Sequence, residues 1–150
     1  MIDVRITDET IDADTVQRAV RDAVVGQAGA VASFAGMMRS ENQRALALTL
    51  EHYPGYTEQE VTQLAERAVQ QFGLLAMAVH HRVGTMTPGD VIVVVVTAAP
   101  HRREAFEACD FVMDYLKSAA PFWKKEVGPD GARWIEPTAR DEADRKRWEA

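Results

Sequence analysis

Six basic side chains in the second half of the chain are placed as an anion-handling site would need them. His101, Arg102 and Arg103 follow Pro100 at the start of an apolar-periodic stretch, and Lys117, Lys124 and Lys125 stand at its end and beyond. Proline suits the first position of a helix, where its missing N–H costs nothing. The remaining free backbone donors, together with a guanidinium, would hold a phosphate or carboxylate. Cations at this end oppose the helix dipole, so they call for a reason, although basic residues at helix starts are often simply solvated. Lys117 falls in the last turn, where the dipole favours a cation in any case, so spacing alone explains it as well by the helix as by chemistry. Lys124 and Lys125 are adjacent in extended sequence and point to opposite faces, so one of them can line a given pocket. Lysines gathered together and partly desolvated lose proton affinity and become usable as acid, base or nucleophile.

Other candidates are weaker. His80 and His81 share a strand and face opposite ways, which is wrong for a two-ligand metal site. His52 reads as a sheet residue. Cys109, the single cysteine, lies on an apolar helical stripe and reads as packing rather than nucleophile. No Ser-His-Asp order, P-loop or dinucleotide fingerprint is present.

The elements that must position these groups follow from periodicity. Alternation predicts a strand over residues 2–6, and Asp12 or Asp14 caps a helix over 15–25. A buried strand over 29–38 runs into a polar loop, 39–44, and a pairing strand follows at 45–53. Thr57 with Glu60 matches a capping box for a helix reaching Phe72, closed by Gly73. Residues 74–83 form a strand, 87–90 a turn, and 91–98 a β-branched strand covered on both faces. The helix from Pro100 to about Ser118 turns Ala105, Phe106, Cys109, Val112, Met113 and Leu116 inward. Residues 122–127 and 133–136 flank a Gly-Pro-Asp-Gly hairpin turn. A charged tail, 137–150, carries an exposed helix. The order predicts an α+β fold of one domain, 1–150.

Hydrophobic residues are 47% and charged residues 27% of 150, a globular profile with length enough for a core without disulfides. One cysteine excludes an internal disulfide and suits a reducing, cytoplasmic setting. No secretory leader is read at the start, and the longest apolar run is far too short to span a bilayer. A net charge of −6 argues against nucleic acid and anionic membranes, so an anionic substrate must meet a local positive pocket.

The segments SFAGMMRS, LTLEHYPGYTE, HHRVGTMTPGD, HRREAFEACDFVMDYLKSAAPFWKKE and RWIE, in this order and spacing, resemble the large, catalytic subunit of molybdopterin synthase over roughly residues 28–136. LEHYPGYT and MDYLKSAAPFWKKE are the most specific pieces. The resemblance implies an α/β hammerhead with an added small antiparallel sheet. It implies a homodimer that binds two small ubiquitin-like sulfur-carrier subunits, each presenting a C-terminal Gly-Gly thiocarboxylate. The implied substrate is cyclic pyranopterin monophosphate, which receives two sulfurs to become the dithiolene of molybdopterin. Position by position, Lys117 and Lys124 match the family's catalytic lysines. Arg39 closes its F-x-G-x-x-R segment, with Phe34 lining the pocket. His101 and Arg102 match the pair that holds substrate, and Lys125 and Glu126 complete the Lys-basic-Glu segment. Met37 and Met38 stand where the family often has a basic residue and valine, so this part of the pocket wall departs from the pattern. An arginine expected shortly after W-x-E is displaced here to Arg140. No metal or redox cofactor is implied, because the sulfur arrives activated.

His101 and Lys117 are sixteen positions apart on one helix, about 24 Å at ~1.5 Å per residue. That span is awkward for one pterin pocket. The expectation is therefore a site shared across a dimer, with Arg39, Lys117 and Lys124 from one subunit and His101 and Arg102 from the other. Two other readings stay open on the residues alone: a non-catalytic dimeric module that docks a ubiquitin-like tail, and a small α+β enzyme acting on acyl thioesters.

Overall fold

The computed structural model describes residues 1–40 and 45–149; part of the predicted 39–44 loop therefore lies outside the described residues. In chain order the elements are β1 (Ile2–Thr7), α1 (Ala13–Ala23), β2 (Ala30–Met37), β3 (Ala47–His52), α2 (Tyr56–Phe72), β4 (Ala76–Arg82), β5 (Gly84–Met86), β6 (Val91–Ala99), α3 (Arg102–Ser118), β7 (Phe122–Gly128), β8 (Gly131–Ile135) and α4 (Ala139–Lys146). They build two four-stranded sheets, ordered β1-β4-β6-β2 and β5-β3-β7-β8. Among the described residues only β1 with β4 is parallel; the other pairings are antiparallel. This is the α+β arrangement expected, a helix-covered sheet with a smaller antiparallel sheet beside it.

The first sheet is a layer between helices. Met77, Val79, Val93 and Val95 face α2 and α3, while Ala76, Ala78, Val94 and Val96 face α1. The unbroken β-branched run of β6 is thus explained by burial on both sides. Thr97 keeps a hydroxyl in this apolar layer by donating to the Ala105 carbonyl, 2.7 Å away on α3. A third, smaller core of Met38, Ala45, Leu48, Leu50 and Met86 fills the space under the second sheet.

Several local expectations are corrected. α2 starts two residues early, capped by Gly55 (φ 86°) rather than Thr57, and Glu58 reaches back to the Gly55 N–H. Thr57 is fully buried instead, accepting from Tyr53 N–H and donating to the Pro121 carbonyl. α3 starts at Arg102 with His101 at the cap position, so Pro100 precedes the helix. Phe106 faces outward at 66% exposure, and Ala108 and Phe111 take inward positions. β2 is an edge strand with an exposed middle rather than a buried one. β5 is an added short strand, opened by Gly84 at φ 86°.

The tail also differs. α4 has no buried residue of its own, but Trp148 just beyond it packs edge-on against Phe72 and Phe111 and donates its indole N–H to Asp114 at 2.6 Å. Arg147 bonds Asp110 and Asp114 beside it. The charged segment is therefore strapped along α3, and its Thr138 and Asp141 line one wall of a cleft.

Candidate active site

That cleft, about 240 Å³ in volume, lies where the C-terminus of α3 meets the second sheet. It is lined by Lys117, Phe122, Lys124, Ile135, Thr138 and Asp141 among others. Two different elements supply the amines. Lys117 is exposed in the last turn of α3, and Lys124 is partly buried in the middle of β7. β7 is held on one side by β3, with Leu50 opposite Lys124, and on the other by β8, with Ile135 opposite Lys124. Those two apolar neighbours flank the Lys124 stem.

Burial therefore pushes the Lys124 amine down to about 8 from its ordinary 10.5, and the charge and hydrogen-bond contact of Lys117 push the same way. Asp141, at the first turn of α4, pulls in the opposite direction and is outweighed. Near neutral pH such a lysine keeps a fraction of its amine unprotonated, which suits it to act as a base beside the second amine of Lys117. Thr138 and Asp141 stand in the cleft wall because they close a reciprocal cap on α4. The T-x-x-D spacing was the signal for that helix start, though nothing local in it points to the cleft.

Lys125 alternates to the other face of β7, its amine 5.9 Å from the Trp134 ring. Glu126 returns to the Lys124 face and accepts from Arg133 at 3.3 Å. Arg140 points to solvent, 3.9 Å from Asp144, and is not among the cleft residues. Cys109 is buried with its thiol pushed up to about 12 by burial and by Asp110, which leaves it a packing residue.

The remaining predicted residues divide between the two ends of the first sheet. His101 and Arg102 are exposed where β6 ends and β2 begins. Their position is set by Gly29, whose N–H donates to the Ala99 carbonyl; a Cβ there would meet the Pro100 carbonyl oxygen at 2.3 Å. Arg39 is exposed just past the other end of β2, beside the 87–90 turn that Met38 pairs with. Phe34 (41% exposed) borders a shallow groove with Phe106, Asp110 and Met113 along the edge of β2. Met37 is exposed, whereas Met38, at 5%, is part of the third core and offers no surface to a substrate. α3 runs unbroken between Arg102 and Lys117, so the two basic groups of one chain stand about 22 Å apart at ~1.5 Å per residue.

His80 and His81 do face opposite ways. His80 bonds Asp3 at 2.9 Å on the α1 side, and His81 stacks on Phe122 behind the cleft. His52, in β3, lies 3.2 Å from Glu58. Among the described residues no three His, Cys, Asp or Glu side chains gather as a metal-ligand set, and no helix is long and apolar enough to cross a membrane.

Comparison with known proteins puts these residues in a family context. A molybdopterin synthase catalytic subunit of Caulobacter vibrioides is 59% identical over 123 residues, 82% of each chain. The structure of a molybdopterin biosynthesis MoaE protein from Burkholderia ambifaria superposes with a TM-score of 0.85 at 42% identity, covering 100% of this chain and 99% of that one. A molybdopterin synthase structure from Staphylococcus aureus superposes with a TM-score of 0.79 at 25% identity, over 87% and 95% of the two chains. Residues 6–119 match the family described as MoaE protein, and with that span and those identities the chain belongs to the MoaE family.

Proposed function

We infer that this chain is the catalytic subunit of a molybdopterin synthase, a sulfurtransferase of molybdenum cofactor biosynthesis. It moves sulfur from the C-terminal thiocarboxylate of a small ubiquitin-like carrier to cyclic pyranopterin monophosphate. The observation that carries the reading is the amine pair in the cleft, with Lys124 held down to about 8 beside Lys117, in a chain 59% identical to a molybdopterin synthase catalytic subunit. A docking module would need positive charge there, but it would have no use for a desolvated amine close to neutrality.

In this proposal the carrier's extended tail enters the cleft. Lys117 neutralises charge at its acyl terminus and moves protons as the sulfur transfers. Lys124 assists opening of the cyclic phosphate or stabilises the intermediate. Arg39, His101 and Arg102 hold the phosphate and pterin so that sulfur attack is effectively intramolecular. Phe34 and Met37 supply apolar wall, and Lys125 and Glu126 brace the strand from its two faces. The reaction needs no metal or redox cofactor from the protein, and we place it in the cytoplasm, where the buried thiol of Cys109 stays reduced.

The 22 Å between the ends of α3 supports a homodimer with composite sites, which with two carriers makes a heterotetramer. A mixed dimer tests this, with Lys117→Ala on one subunit and Arg102→Ala on the other. Supplied with thiocarboxylated carrier and precursor, it should retain one working site of two in a fluorescent-pterin assay, while each homodimeric variant is inactive. An inactive mixed dimer would overturn the shared site. Normal turnover by the Lys117→Ala homodimer would overturn the catalytic assignment itself.

A further inference from the structure

His81 is a buried histidine that the chemistry above does not use. It is 5% exposed at the end of β4, on the face that looks toward α3 and the second sheet. Its ring lies flat on Phe122, with centroids 4.1 Å apart and planes 16° from parallel. Nδ1 is 2.8 Å from the Arg82 carbonyl. A carbonyl only accepts, so this nitrogen carries the proton and pins the plane of the ring. Phe122 is in turn a wall of the lysine cleft, two residues before Lys124 on the same face of β7. The stack is therefore the partition between the cleft and the core of the first sheet.

The charged and titratable groups facing His81 are Lys124 from β7, Lys117 from α3 and His52 from β3, with Glu58 of α2 engaged by His52. None of these three brings a negative charge. We propose that His81 is a positioning residue for Lys124: its ring, locked flat behind Phe122, keeps water and counter-charge away from the amine. Burial, with the lysines adding to it, pushes His81 down to about 4. The ring thus stays neutral throughout the range in which Lys124 exchanges its proton. A protonated ring would add a third cation to the cluster. A smaller side chain would let water reach the Lys124 stem. The inference rests on Lys124 as a reacting amine, but its test does not require turnover.

Reductive methylation with ¹³C-formaldehyde, followed by NMR across pH, reads the titration of Lys124 in the isolated protein. His81→Phe preserves the stack, and its Lys124 should titrate close to the parent. His81→Asn preserves a donor for the Arg82 carbonyl but loses the stack. Its Lys124 should titrate about one unit higher, which leaves about tenfold less free amine at neutral pH. Phe122→Leu removes the same stack from its other partner and should move Lys124 the same way, so the idea remains exposed to failure if the Asn variant does not fold. A Lys124 titration unmoved in the folded Asn or Leu variant, or moved as far by Phe, overturns the proposal. Sulfur-transfer profiles of the same variants separate the two claims. If the amine titration moves and the pH dependence of turnover does not, the positioning role stands and the catalytic reading of Lys124 falls.

Discussion

Replacing Lys124 by methionine should make the protein more stable and inactive at once. The amine is held down to about 8 from 10.5 by burial first and by Lys117 second. A lysine with a folded pKa below its unfolded one binds fewer protons folded than unfolded between those values. Stability therefore rises with pH through that window, and below it the protein carries the full cost of a desolvated cation. At ~1.4 kcal/mol per unit, a shift of this size corresponds to about 3 kcal/mol at pH 7, and at pH 10 roughly a quarter of that remains. Water at the cleft mouth and relaxation of the strand reduce it, so the expected gain for Lys124→Met is about 1–3 kcal/mol at pH 7. Methionine keeps the unbranched shape, so packing changes little. Urea denaturation of parent and variant at pH 7 and pH 10 gives the double difference, in which the titrating groups not coupled to Lys124 cancel. A gain of the same size at both pH values would mean that the effect comes from packing and not charge. A loss at pH 7 would mean that Lys124 is better paired than its surroundings indicate. Either result removes the physical basis for its low proton affinity.

Four further substitutions probe the supports of the site. Lys117→Met removes the neighbouring charge and should raise the Lys124 titration toward its ordinary value in the same NMR experiment; an unchanged titration would show that burial alone is responsible. Gly29→Ala forces a Cβ against the Pro100 carbonyl, which should cost about 1–3 kcal/mol as overpacking and raise KM for the phosphorylated substrate by displacing His101 and Arg102; an unchanged KM would separate that end of α3 from binding. Trp148→Ala strips the tail of its packing on Phe72 and Phe111 and should cost about 2–4 kcal/mol, somewhat below a fully buried tryptophan. Hydrogen exchange should then quicken across α4, whereas Arg147→Ala, at an exposed ion pair, should cost under about 1 kcal/mol. Equal effects would make the ion pair rather than the indole the anchor of the tail.

The parts of the fold legible in the sequence are those governed by neighbours a few residues away. The all-β-branched β6, the alternation in β1, the Gly73 stop with its φ of 63° and the 128–131 hairpin turn are local patterns with local causes. Lys124 and Lys125 parted onto two faces for the same reason. What could not be read locally depended on distant chain. Thr57 carries a cap signature, but a buried hydroxyl whose acceptor is the Pro121 carbonyl, 64 residues away, has a long-range role that the T-x-x-E spacing does not encode. Gly55 was then free to start the helix. Met38 sits next to Arg39 in a family segment, yet the third core, assembled from β3, β5 and the residues before them, claims its side chain.

Phe106 shows the limit most clearly. It lies on the same helical stripe as Ala105 and Cys109, and periodicity alone turns it inward. The sheet stops at β2, however, so one flank of α3 has no strand beneath it and Phe106 is left standing beside Phe34 at the open groove. Periodicity reports that a side chain should leave water, and it does not report which chain will cover it. In an α3 whose two ends carry halves of one proposed site about 22 Å apart (at ~1.5 Å per residue), an uncovered apolar flank between them is what a dimeric arrangement would require. Phe106→Glu should therefore weaken self-association in sedimentation equilibrium while leaving the thermal unfolding of the separated subunit unchanged. A variant that remains fully dimeric would remove this flank from the pairing surface, and the composite site would then need a different geometry to bring Arg102 to Lys117.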